Sequence, residues 1–294
     1  MGTSNANGGQ GGDTPLIPSW LPPDGSPPPT SEPMAAPPPT DSAPGTPPAM
    51  PTPPSLPAIP PAAEADRFTP ARANFTRFAS SGGSDRQSLG RSLSHYVSTA
   101  SGGSRTAAQR MVRSPASGVP LLSLLSSAVA NGPRETLRAL NLEKLAGRPI
   151  EEVFLGLMDY VCPEGGTLDE GIARDAFIET IADLAEAGIA DFDSLTPDQM
   201  QTIFELYATH AIETRLCNDI GMKVITLPPD AAQSESVQRQ LFDYVRRSVS
   251  DALIQTRAAL HALTPERVFG FVTRVYEQAY AIMQTMAQEE AETA

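Results

Sequence analysis

TPDQMQTIFELYATHAIETRLC, residues 196–217, is the stretch whose reading decides the fold. Thr196 and Gln199 stand at capping-box spacing with Pro197 at the first helical position, so a helix opens here. Met200, Ile203, Phe204, Tyr207, Ala211 and Ile212 then recur at the interval of one helical face, out to about Cys217.

The same grammar extends in both directions. Upstream, Thr167 and Glu170 form a second capping box before Ile172, Phe177, Ile181 and Leu184. Pro149–Val161 places Ile150, Val153, Phe154, Leu157 and Val161 on one face, and the apolar run PLLSLLSSAVA (120–130) ends at the breaker Asn131-Gly132-Pro133, after which Arg134–Leu140 resumes. Downstream, GMKVITLPP (221–229) is the only strand-like stretch; its double Pro stops it, and it reads as an extended linker. Two long helices follow. One spans roughly Ala231–His261 on Val237, Leu241, Val245, Val249 and Leu253. The other starts at Thr264-Pro265-Glu266 and uses Val268, Val272, Val275, Tyr276, Ala279, Met283 and Met286. Residues 119–294 are therefore expected to be an acidic all-α domain, a bundle of about six to seven helices.

Residues 67–118 read as a basic arm of short helices. Thr69-Pro70 looks like a cap and first position, with Ala71, Phe75 and Phe78 on one side. Ser81-Gly82-Gly83-Ser84 leads into a second amphipathic stretch, with Ser84 and Gln87 at capping-box spacing and Leu89, Leu93, Tyr96 and Val97 as its stripe. Ser101-Gly102-Gly103-Ser104 repeats the device before RTAAQRMVR. Arg77, Arg86, Arg91, Arg105, Arg110 and Arg113 decorate the arm. Gly82, Gly83, Gly102 and Gly103, with Arg77, Arg86, Arg91 and Arg105 nearby, could cradle a phosphate on exposed amides. Neither copy continues as a Walker motif, and the plainer reading is a pair of Gly-rich turns whose arginines meet the acidic body.

Ahead of the arm the chain changes character. Twenty of the thirty prolines fall between Pro15 and Pro61, so this part lacks the apolar surface and the backbone donors of a packed unit. Residues 1–20 form a polar, Gly-rich tail ending in the apolar knot Leu16-Ile17-Pro18-Ser19-Trp20. Residues 21–66 form a Pro-rich linker, expected to be disordered, with a reach on the order of 140 Å at 3.1 Å per residue. Removal of Met1 would leave Gly2 as an unhindered α-amine. The myristoylation pattern fails, because its sixth position is Ala6. Trp20 is either incidental or an anchor in a partner's groove.

Charge is distributed in blocks. Residues 1–66 carry six acids and no base, 67–118 eight arginines against Asp85, and 119–294 twenty-seven acids against thirteen bases. The net charge of −13 argues against a general nucleic-acid coat. With no signal-peptide pattern and no long apolar run, the chain reads as soluble and cytoplasmic, without a membrane partner. His95, His210 and His261 stand singly, Cys162 and Cys217 lack metal-ligand spacing, and Asp191-Phe192-Asp193 lacks the Gly and closing Glu of a cation loop. There is no cofactor fingerprint and no nucleophile elbow, so the expectation is no catalytic residue, no metal and no cofactor: a binding protein rather than an enzyme.

The opening MGTS, the knot in GGDTPLIPSW with its Pro-rich follower, and the block RFTPARANFTRFASSGGSDR followed by LGRSLSHYVS resemble the QatB family, the B component of the four-part Qat anti-phage defence systems of bacteria. That resemblance implies partners: a QueC-like enzyme first, together with an ATPase and a TatD-like nuclease. QueC-type enzymes activate a carboxylate with ATP and deliver it to an amine. The resemblance therefore makes Gly2 the candidate acceptor, with Thr3 and Ser4 threading the partner's channel and Leu16, Ile17 and Trp20 anchoring outside it. The competing expectation is a nucleic-acid-sensing adaptor that grips phosphate through the arginine arm.

Overall fold

The computed structural model describes residues 67–221, 230–261 and 263–292, with side chains for all of these except 257–259, 261 and 265. These residues belong to the second of the chain's two compact units, Ala58–Ala294. The expected linker at 221–229 lies outside the described residues beyond Gly221.

Ten α-helices follow one another among the described residues, without a β-strand. Three precede residue 119: α1 (Thr69–Ser80), α2 (Arg86–His95) and α3 (Ser104–Arg113). Seven follow: α4 (Val119–Asn131), α5 (Pro133–Ala139), α6 (Ile150–Val161), α7 (Leu168–Leu184), α8 (Pro197–Ile220), α9 (Ala231–His261) and α10 (Val268–Glu292). The expected all-α bundle is what the chain forms.

The starts of α7 and α8 are set by the residues that predict them. Thr167 accepts from the Glu170 amide while the Glu170 carboxylate takes the Thr167 amide at 2.7 Å. Thr196 and Gln199 do the same, with Pro197 where its missing N–H costs nothing. α8 runs on to Ile220, a turn beyond the expected end, and stops at Gly221, whose φ of 75° suits the left-handed cap.

Three other starts differ from expectation. α1 begins on Thr69 itself and has no side-chain cap. α2 is capped by Asp85, one residue past Ser84: its carboxylate accepts the Ser88 amide at 3.0 Å and the Ser88 hydroxyl at 2.7 Å. A carboxylate accepts more strongly than a hydroxyl, so Asp85 takes the cap. Gln87 instead reaches α10, donating to the Ala291 carbonyl at 3.0 Å. At the third start, the single turn Pro265–Arg267 is 3₁₀, and α10 proper begins at Val268.

Packing joins what the charge pattern separates. One hydrophobic cluster takes in Phe75, Phe78, Leu89, Leu93 and Met111 from the first three helices and Phe154, Phe177, Tyr207 and Val275 from the rest. α10 is its axis, packing on α2, α3, α4 and α9. Phe154 stacks on Phe177 at 5.5 Å between ring centres, and Phe177 meets Tyr207 edge-on at 6.4 Å. Burying each such side chain contributes about 1.5–3 kcal/mol, against about 0–1 kcal/mol for an exposed ion pair. Apolar packing therefore holds residues 67–118 in place. The boundary expected at 118/119 has no counterpart in the core, and this segment is a wall of the bundle, not an arm standing off it.

Candidate functional site

The two Gly-Gly turns were the candidate anion cradles. At the first, Gly82 (φ 66°) donates to the Ala79 carbonyl at 2.9 Å, and Gly83 (φ 87°) to the Phe78 carbonyl at 3.2 Å. At the second, Gly103 (φ 93°) donates to the Val97 carbonyl at 2.9 Å. These amides terminate the preceding helical turns and point at carbonyls already engaged. At the first turn space is closed as well, since a Cβ on Gly83 would fall 2.5 Å from the Gln240 side chain of α9, whereas at the second no heavy atom lies within 4 Å of a Cβ on Gly103. Beside the first turn lies a cleft of about 580 Å³ in which Asp85, Glu289 and Glu290 outnumber Arg86 and Arg247. A phosphate would meet a carboxylate cap and an acidic wall.

The arginines divide into two groups. Arg72 donates from Nε to the Ile220 carbonyl at 2.7 Å, satisfying an orphan acceptor at the end of α8. Arg86 pairs with Glu290 at 2.7 Å. Arg67 lies over the Phe68 ring at 4.7 Å, and Phe68 stacks on Tyr96 at 5.9 Å. The second group, Arg77, Arg91, Arg105, Arg110 and Arg113, is exposed. Among the sequence-predicted residues, Arg77 and Arg91 both lie within electrostatic reach of Asp85, the neighbour of Arg86, while Arg105 belongs to α3. Only Arg86 is bound into the bundle through an ion pair.

A polar cluster lies at the C-terminal end of α8. The Tyr96 hydroxyl donates to Asp219 Oδ2 at 2.9 Å, and Arg215 pairs with Asp169 at 2.8 Å. Burial pushes the Asp219 carboxyl above its ordinary range, opposed by the Tyr96 hydrogen bond and by Arg215, Arg67 and Arg110. Desolvation likewise holds the Tyr96 phenol protonated. This cluster is a joint. It clasps the beginning of the described chain, Arg67 and Phe68, to the end of its longest well-capped helix. Tyr96 and Asp219 lie 123 residues apart and Arg215 and Asp169 belong to different helices, so no local spacing announced it.

The remaining titratable candidates are structural. His210 Nε2 lies 2.9 Å from Asp183 Oδ2, with its ring against Phe242; His95 is exposed, and the His261 side chain lies outside the described ones. Burial pushes the Cys162 thiol up to about 11 and Cys217 up to about 12, which keeps both unreactive near neutral pH. The Asp191 carboxylate accepts its neighbour's Asp193 amide at 2.8 Å, a turn rather than a cation loop. Among the described residues no helix is long and apolar enough to cross a membrane, and no group of His, Cys, Asp and Glu is placed to hold a metal. Gly2, Thr3, Ser4, Leu16, Ile17 and Trp20 lie outside the described residues.

Comparison with known proteins finds one family whose model matches: "Qat anti-phage system associated protein QatB", over residues 102–283, well over half of the 294. Neither curated proteins nor solved structures give a significant match.

Proposed function

The chain belongs to the QatB family of Qat anti-phage system associated proteins, and we propose that within that system it is a non-enzymatic scaffold presenting its N-terminal tail to a QueC-like partner. The observation that carries this reading is the clasp at residues 67–68. Arg67 and Phe68 sit where the Pro-rich sequence ends, and ring stacking on Tyr96 and the Tyr96–Asp219 bond tie that point to the bundle. A tail that is to be delivered needs a fixed root, and here the root is fixed.

In this reading Gly2, after loss of Met1, is the acceptor amine. The partner's carboxylate is first adenylated by ATP with release of pyrophosphate. The Gly2 nitrogen then attacks the acyl carbon, the new N–C amide bond forms, AMP departs, and the amine gives up a proton. Thr3 and Ser4 are small enough to follow Gly2 into a narrow channel, while Leu16, Ile17 and Trp20 anchor outside it. The system's ATPase and TatD-like nuclease would act on the assembled product.

Intact-mass measurement after coexpression with the QueC-like partner, with tandem mass spectrometry of the N-terminal peptide, tests this. The expected result is an added acyl group on Gly2 that disappears when the partner's ATP site is disabled. An unmodified Gly2, together with phage protection that survives truncation of the first residues, would sink it.

A further inference from the structure

α7 carries apolar residues on two opposite sides. Ile172, Ala173, Ala176 and Phe177 face the core, while Leu168 and Ile178 are 60% and 48% exposed. At Gly171, between them, no heavy atom lies within 4 Å of where a Cβ would stand. The neighbouring α6 adds Leu155, 57% exposed, on the side where Met158 and Asp159 meet Arg174 of α7. A surface helix ordinarily turns a polar face to water, and a helix apolar on both sides is one that is covered on both sides.

The charge around this face says what would cover it. Residues 143–198 carry fourteen acids against Lys144, Arg148 and Arg174. Two of those cations are already engaged: Arg174 by Asp159 and Glu164, and Arg148 by Glu152. Nucleic acid and anionic bilayers would be repelled. So would a symmetric pairing of the face with itself, which would set acid against acid. The occupant must be basic, and this chain holds a basic surface of its own. On α3, Arg105 and Arg113 lie two turns apart on one exposed side with Arg110 beside them. Arg77 and Arg91 are exposed on α1 and α2. None of Arg77, Arg91, Arg105 and Arg113 makes an ion pair among the described residues.

We propose that the acidic, apolar-centred face of α6 and α7 docks the Arg105–Arg113 face of α3 in a second copy of this chain, head to tail. Two different faces meet, so the contact is heterologous: each copy offers one free face of either kind, and assembly grows into a ring or a short filament. The proposal is independent of the tail's modification.

Sedimentation velocity on the full chain over a wide concentration range reads it directly. At about 0.1 M salt the mean mass should rise well above the 31.1 kDa monomer. At about 1 M, where the Debye length falls from about 10 Å to about 3 Å, it should return towards the monomer. Two surface variants, each checked by circular dichroism, separate the faces: D175R with I178R breaks the acidic face, and R105E with R113E breaks the basic one. Each alone should be monomeric. Mixed, they should give a discrete dimer, because one intact face of each kind remains. A wild-type chain monomeric in low salt leaves the face to a different basic protein and overturns the proposal. So do oligomers that ignore both variants, and so does a mixture that fails to pair.

Discussion

Gly90 shows what one missing side chain does for the fold. It lies in α2 where that helix crosses α10. A Cβ placed there would stand 2.7 Å from the Ala287 carbonyl oxygen and 3.0 Å from the Ala291 nitrogen, both backbone. Backbone cannot swing aside, so the two helices would have to separate. Gly90→Ala should cost about 2–3 kcal/mol by overpacking, the upper part of the usual range because both close atoms are backbone, which exceeds the roughly 1 kcal/mol that Ala adds in helix propensity. Gly270, in α10, has no heavy atom within 4 Å of its Cβ position. There only the propensity remains, and Gly270→Ala should stabilise by about 0.5–1 kcal/mol. Urea unfolding of the two variants checks the pair, and a Gly90→Ala protein as stable as wild type would contradict the tight crossing. In the sequence the two glycines look alike, each a weak point in a helix. What separates them is a neighbour two hundred residues away, which no local pattern encodes.

The α7–α8 pair is where the elements were most legible and where their junction was least so. Thr167, Glu170, Thr196 and Gln199 cap in the structure as their spacing predicts, because a capping box is a contact within one turn. The face of α8 was legible for the same reason: Met200, Ile203, Phe204, Tyr207, Ala211 and Ile212 are all buried. Glu213 was not legible, because its partner is on the other helix. Burial, with Glu179 of α7 adding repulsion, pushes its carboxyl from 4.5 up to about 7. One turn before it lies the His210–Asp183 pair, and one turn after it the Cys217 thiol. A carboxyl whose folded pKa is raised favours the fold fully below its unfolded pKa, and that contribution is lost as pH rises through 7. Wild-type stability should therefore decline between about pH 4.5 and 7 through this group. Glu213→Gln removes the decline: near neutral stability effect at acid pH, and a gain on the order of 2–3 kcal/mol above about pH 8. Thermal unfolding of both proteins across that range measures it; parallel pH profiles would refute the assignment.

At the scale of the molecule, the sequence shows the charge blocks but not whether the basic block stands apart. Eight arginines in fifty-two residues read as an arm, since charge is counted along the chain, whereas burial depends on which helices meet. In the structure Phe75, Phe78, Leu89 and Leu93 are in the common core, Arg72 closes α8, and Arg86 closes on Glu290 of α10. The amides of Gly82, Gly83 and Gly103 are engaged by carbonyls, and Asp85 sits at the N-terminus of α2, where an anion would otherwise bind. What remains exposed is scattered over three helices of a chain with a net charge of −13. Non-specific DNA binding relies on several cations neutralising adjacent phosphates together, and typically reaches about 10⁻⁴–10⁻⁶ M at physiological salt. This chain should fall short of that range. Fluorescence anisotropy with a labelled duplex at about 0.15 M salt is the measurement, with Arg77, Arg86 and Arg91 reversed in charge as the control. Reversal should leave an already negligible signal unchanged, while opening the Arg86–Glu290 pair should lower the melting temperature slightly. Tight binding that weakens steeply with salt and vanishes on reversal would place the arginines on phosphate and return nucleic-acid sensing to the front. The expected silence would leave Arg72 and Arg86 with the contacts they make within the bundle.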